Sequence, residues 1–201
     1  MRRGRGKAKG SQYEREICVR LSAWWMEDED CDDAFWRSHS SGARATVRHR
    51  KGKKTIGQDS DVCATRKEAI ALLKLMTIEI KRGHNKVVPS DIIDKPRSAK
   101  PSAFENHLRQ AIESSEKAKT PFWMLIHKRD RRIEMVYIPM KLFDAIINHN
   151  NAEQPKTKIR MFAKVRGVGW VSFIGVHLQE FFDFAQPKVL QQILKESKHG
   201  R

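Results

Sequence analysis

The sequence has no run of 18 consecutive apolar residues, which excludes an α-helix able to span a bilayer. Its amino-terminal MRRGRGKAKG is basic but has no apolar stretch behind it, so it does not read as a secretory signal. Cysteine is scarce. Cys18, Cys31 and Cys63 are odd in number and widely spaced, with no C-x-x-C and no histidine at zinc-ligand spacing. His49 and His84 stand alone in basic segments. This argues against a disulfide framework and a structural zinc site, and for reduced thiols in a cytoplasmic setting. No internal repeat is present. Acidic residues are also short, with 24 Asp+Glu against 40 Lys+Arg, a formal net charge of +16.

What is present suits one domain. The chain has 201 residues, 39% of them hydrophobic, enough for a self-supporting core. The surplus of positive charge implies a polyanionic partner, most simply a nucleic acid, because each neutralised phosphate releases counterions. Charge alone does not separate an enzyme from a binding module.

Residues 1–10 read as a flexible basic arm. Ser11 is the expected cap of a first helix over about 12–26, with Glu14 as capping-box partner and Ile17, Leu21, Trp24 and Trp25 at helical spacing. A strand is expected at 34–37. A long cationic loop with three glycines follows, SHSSGARATVRHRKGKKTIGQDSD, of the kind that is usually functional. Strands are expected at 61–65 and 77–81, with 67–75 undecided between a helical turn and a hairpin. Residues 84–101 read as a surface connection and 102–119 as a helix. Strands at 122–127 and 133–138 flank the charged turn KRDRR, and a helix covers 140–149. A hairpin over 159–165 and 170–176 and a helix over 187–197 complete the chain. The alternation predicts an α/β fold with a mixed central β-sheet flanked by helices. Its expected divisions are the arm 1–10, a core domain 11–150, and an α+β C-terminal extension 151–201 of hairpin, helix and basic tail, packed on the core.

Chemistry concentrates in Glu14, Asp61, Glu79 and Lys81. Glu79 and Lys81 are two apart in the alternating run TIEIK, so a strand points both to one face and sends Ile78 and Ile80 to the other. Asp61 opens a neighbouring strand. Two carboxylates on adjacent strands suit a hard divalent cation such as Mg²⁺, which prefers oxygen ligands. The Lys81 amine would then orient or activate a water for attack on a phosphodiester. Each residue also has a plainer reading: an ion pair on a solvated face for Glu79 and Lys81, a cap for Glu14, a turn residue or outer ligand for Asp59.

Asp61 followed by Glu79-Ile80-Lys81 resembles the PD-(D/E)XK nuclease superfamily, whose motif is an Asp, a variable gap, then Glu/Asp-x-Lys. Within it, KGSQYERE (9–16), SHSSGARA, DSDVCA and TIEIKRG are similar in order and spacing to the archaeal-type Holliday junction resolvases. The likeness covers roughly residues 9–83. The basic loop 43–58 and the wide interval from Asp61 to Glu79 depart from that pattern, and residues 120–201 exceed the minimal fold.

The resemblance implies a restriction-endonuclease-like core and a Mg²⁺-dependent endonuclease, with Mn²⁺ expected to substitute. It places the first-helix metal ligand on Glu14, with Glu16 as the competing choice, and selects Asp61 over Asp59. Asp61 and Glu79 would hold the metal, Lys81 the water, and Ser40 or Ser41 beside Gly42 the scissile phosphate. Gln110 lies on the helix after the motif strand, where some superfamily nucleases use a Gln. His39 is unassigned. Arg2, Arg3, Arg5 and Lys9 of the arm, with Ser40, Arg44, Arg48, Arg50, Lys51, Lys53 and Lys54 of the loop, would contact DNA. The implied substrate is branched DNA such as a four-way junction, cut by a homodimer. Trp170 to Val176 with Phe181, Phe182 and Phe184 is the expected source of part of the dimer surface. The alternatives are a sequence-tolerant or flap-acting nuclease of the same superfamily and a non-catalytic DNA-binding protein. The expected location is the cytoplasm, the host's if the chain is phage-encoded.

Overall fold

A computed structural model describes residues 5–38, 59–83, 86–96, 99–149 and 153–199. Helix α1 runs Arg5–Met26. Tyr13, Ile17, Leu21 and Trp25, four apart, are all buried, the stripe that i, i+4 spacing produces on a core-facing helix. The helix begins before the expected start, so Ser11 lies within it and caps nothing. Residues 5–10 hold no proline to stop the helix. The Lys9 ammonium pairs with Asp130 on a distant turn, anchoring the early turns.

Strand β1 (Phe35–Arg37) pairs antiparallel with β2 (Val62–Ala64), Arg37 opposite Val62. Helix α2 (Ile70–Leu75) runs directly into β3 (Met76–Arg82), which resolves the undecided 67–75 segment as helical. Leu72, Leu73 and Leu75 bury its inner side. A short 3-10 turn, Pro89–Ile92, interrupts the surface connection. Helix α3 spans Ala103–Ala118. Ser102 Oγ accepts from the Glu105 N–H at 3.1 Å while the Glu105 carboxylate accepts from the Ser102 N–H at 3.3 Å, a reciprocal cap that fixes the start.

The remainder is β4 (Phe122–Lys128), β5 (Met135–Pro139), α4 (Met140–His149), β6 (Lys158–Val165), β7 (Gly169–His177), α5 (Leu178–Phe184) and α6 (Pro187–His199). The main sheet has the order β3-β4-β5-β7-β6, with β3 and β4 parallel and every other pair antiparallel. This is the expected mixed α/β architecture, a central sheet of parallel and antiparallel strands. Because β7 pairs with β5, the C-terminal hairpin continues the same sheet. Gly175 faces Tyr137 across that pair. A Cβ there would meet the ring at 2.5 Å, so the position requires glycine.

Helices cover both faces. Side chains of α1, α2, α4, α5 and α6 pack with Ile78 and Ile80 on one side, and α3 packs with Leu125, Tyr137 and Phe173 on the other. Helix α5 is absent from the sequence reading. Its Phe181, Phe182 and Phe184 are buried in the first of these cores, and the Trp24 ring stacks on Phe182 at 4.9 Å. The expectation that these phenylalanines supply a dimer surface is therefore corrected: they are core. Trp170 is different. It is 65% exposed and stacks at 4.9 Å on Phe162, itself 64% exposed.

Candidate active site

Strand alternation places Ile78 and Ile80 in the core and turns Glu79 and Lys81 toward α3. Strand β3 is an edge of the main sheet, so its outward main-chain groups need partners. Asp61 supplies them. Its N–H donates to the Ile78 carbonyl at 3.0 Å, and its Oδ2 accepts from the Ile80 N–H at 2.8 Å. These bonds bracket Glu79 and hold Asp61 at the strand edge. Ser38 donates from its N–H to the Asp61 carbonyl at 2.8 Å and from its hydroxyl to the Ser60 carbonyl, tying the end of β1 to the same corner.

Lys81 bridges the two carboxylates, its Nζ donating to Glu79 Oε2 at 2.9 Å and to Asp61 Oδ2 at 3.3 Å. Glu79 is 2% exposed, and both its oxygens are engaged. Oε1 accepts from Ser114 Oγ at 2.9 Å and Oε2 also from Gln110 Nε2 at 2.8 Å. Gln110 and Ser114 are one helical turn apart on α3, the spacing that brings two side chains to one target. Burial, with the Asp61 carboxylate adding to it, pushes Glu79 up to about 7 against the opposing pull of Lys81. Burial alone would lower Lys81. The charges of Asp61 and Glu79 outweigh it and hold the ammonium above its ordinary pKa.

Glu14 enters from α1, its Oε2 3.1 Å from Arg37 Nε on β1. Burial and the Asp61 charge raise its pKa, and Arg37 works against both. Glu16, the competing choice, reaches Arg82 instead, at 3.7 Å. Asp59 is exposed. Among the described residues no three His, Cys, Asp or Glu side chains converge as a group able to hold a metal ion. The donor chemistry nevertheless fits a hard cation. Asp61 and Glu79 offer carboxylate oxygens to one ammonium, the kind of oxygen donor a hard cation prefers.

The sequence profile of one protein family, described as "Phage putative PDDEXK endonuclease", matches residues 5–190. The chain belongs to that family. No curated protein and no solved structure matches it. The match to the PDDEXK endonuclease family runs from the start of α1 through α3 and both C-terminal strands to the first turn of α6. It identifies the fold as a PD-(D/E)XK nuclease fold and implies DNA as the substrate.

Of the expected site residues, the PDDEXK fold brings Asp61, Glu79 and Lys81 into direct contact and sets Glu14 within electrostatic reach. Ser40, Ser41, His39, Arg44, Arg48, Arg50, Lys51, Lys53 and Lys54 lie outside the described residues, as do Arg2 and Arg3. Arg5 opens α1, and Lys9 is paired with Asp130. Sequence reasoning missed Ser114 and Arg37. Ser114 had a signal in its four-residue spacing from Gln110, whereas nothing in the sequence ties Arg37 to Glu14. No described helix is long and apolar enough to cross a membrane.

Proposed function

We propose that this chain is a Mg²⁺-dependent DNA endonuclease that hydrolyses phosphodiester bonds in branched DNA, acting on four-way junctions as a homodimer. The observation that carries the catalytic part is the Lys81 ammonium resting on Asp61 and Glu79 at the edge of β3, inside a PDDEXK fold. In this reading Asp61 and Glu79 hold the metal and Glu14 completes its surroundings or serves a second ion. Bound Mg²⁺ supplies Lewis-acid stabilisation of charge on the phosphate and the leaving oxygen.

The protein's own groups do the rest. Lys81, fixed by two carboxylates, orients the attacking water and offers its N–H groups to the charge that develops on the phosphate. Gln110 and Ser114 keep Glu79 in one orientation, and the main chain of Ile78 and Ile80 does the same for Asp61. Ser40 or Ser41 touches the scissile phosphate. The arm and the basic loop, through Arg2, Arg3 and Arg5 and through Arg44 to Lys54, guide the backbone in.

The preference for a junction rests on the resolvase-like pattern over 9–83. The dimer rests on symmetry, since an isologous interface sets two sites about a nearly two-fold junction. The stacked pair Phe162 and Trp170 offers such an interface exposed apolar surface. The test is a panel of labelled four-way, flap, duplex and single-stranded DNA with Mg²⁺, with Mn²⁺ and with EDTA. Paired symmetric nicks in the junction, lost with EDTA, are expected. Equal degradation of every substrate would replace the resolvase reading with a structure-tolerant or flap-acting nuclease, and no cleavage in either metal would contradict the enzyme.

A further inference from the structure

A second basic feature shares the α3 face of the sheet with Glu79 and Lys81. Strand register sets Lys81 opposite His127, His127 opposite Met135, and Met135 opposite His177, one row across four strands. Directly paired residues share a face. The His127 ring touches Phe104 and His107 of α3, which confirms the side. Beyond the row, the turn between β4 and β5 carries Arg129, Arg131 and Arg132, and a pocket of about 320 Å³ opens among these arginines, His127, Met135 and His177.

The turn is built to present charge. The Arg132 N–H donates to the Arg129 carbonyl at 3.1 Å, and Arg131 takes a left-handed conformation (φ 59°), which crowds three guanidinium groups onto one tight bend. Asp130 on the turn also acts on Arg131, but the nearby acids have their ion-pair partners elsewhere. Asp130 pairs with Lys9, and Glu134 with Arg20 and Lys128. His177 Nδ1 stands 3.8 Å from Glu180, whose other oxygen accepts from the Thr157 N–H. Among the described residues Arg129, Arg131 and Arg132 form no ion pair. Three guanidinium groups around a concavity match the oxygens of a phosphate, for which arginine's planar fork is suited.

We propose that this pocket binds a phosphate group of the nucleic-acid substrate a few nucleotides from the bond that is cut. The proposal deepens the nuclease reading and rests on it for the identity of the substrate. Three strand spacings of about 4.8 Å separate Lys81 from His177, roughly 14 Å. At about 3.4 Å per nucleotide along one strand of a duplex, that is about four nucleotides. The phosphate is either an internal diester or a terminal monoester, since the same oxygens are offered by both.

The test is direct binding of a fluorescent DNA to the full chain in EDTA, so that no strand is cut. The variant combines Arg129→Gln, Arg131→Gln and Arg132→Gln. The control combines Lys67→Gln, Lys74→Gln and Lys188→Gln, which removes equal charge from exposed lysines on or beside helices of the opposite face. The pocket variant is expected to bind about tenfold or more weaker, with a salt slope smaller by about one, and the control to bind like wild type. Equal weakening by both triples, or none by the pocket triple, overturns the proposal.

A loss confined to 5′-phosphorylated DNA assigns the pocket to a terminal phosphate, and an equal loss on 5′-hydroxyl DNA assigns it to the internal backbone. Should the triple variant unfold, Arg131→Gln and Arg132→Gln singly, both exposed, carry the same comparison. Failure of the nuclease reading shows separately, as wild-type protein that binds DNA but does not cut it with Mg²⁺.

Discussion

Asp61 accepts the main-chain hydrogen bond of Ile80 at 2.8 Å through the same Oδ2 that meets the Lys81 ammonium. One carboxylate oxygen therefore both closes the edge of β3 and contacts the lysine of the motif. The geometry of the site is written into the strand itself, with no long side chain needed to bring Asp61 across.

Asp61→Asn and Asp61→Ala should separate on this account. Asparagine retains an acceptor for the Ile80 N–H, so stability falls little while cleavage is lost. Alanine leaves that N–H without its partner and costs about 1–3 kcal/mol in addition. Urea unfolding alongside a cleavage assay makes the comparison, and equal stability of the two variants would argue against the edge-closing bond.

Ser114→Ala removes the donor to Glu79 Oε1 in a buried setting. A hydrogen bond to a charged group is worth about 1.5–3 kcal/mol, so the variant should be measurably less stable and cut DNA more slowly. Restoring a hydroxyl with Ser114→Thr should recover part of the activity if that donor orients Glu79. Recovery of stability without activity would assign Ser114 a purely structural part.

The legible portions of this protein were those encoded locally. The run TIEIK alternates, so both the strand and the shared face of Glu79 and Lys81 followed from side-chain period alone. The helix expected over 102–119 lies at Ala103–Ala118, and the Ser102–Glu105 cap at its start is a finding of the structure. Helix α5 escaped because it is only seven residues long and follows β7 without a loop, leaving its phenylalanines to read as surplus surface aromatics. The start of α1 escaped because its early turns are held by Lys9 and Asp130, 121 residues apart. Arg37 beside Glu14 and the basic pocket are likewise products of tertiary pairing, to which periodicity is blind.

Glu134 predicts an acid limit to stability. Burial alone would raise its pKa, but hydrogen bonds from Arg20 and Lys128 outweigh burial and hold it below the ordinary carboxylate value. A depressed folded-state pKa contributes stability that is full above the unfolded value and is lost as pH falls through the folded one. Glu134→Gln should therefore be less stable than wild type at pH 7 by about 1–3 kcal/mol. The gap should close below about pH 4. Urea midpoints across that range would show it, and a gap independent of pH would contradict the ion-pair origin.

Core and surface aromatics near the C-terminus should behave oppositely. Phe181→Ala empties a fully buried site and should cost about 3–5 kcal/mol. Phe162→Ser with Trp170→Ser should leave thermal unfolding of the monomer nearly unchanged and weaken self-association, as read by sedimentation. A dimer untouched by the double substitution would place the interface elsewhere.

The central claim is that Lys81, held by Asp61 and Glu79, serves the cleavage step itself. Lys81→Met keeps the length of the side chain and removes its charge, so one paired measurement decides: cleavage rate and affinity for the same junction DNA, with Mg²⁺ for the first and EDTA for the second. The account predicts a fall in rate of about 100-fold or more, with affinity little changed. A variant that binds and cuts like wild type would contradict it.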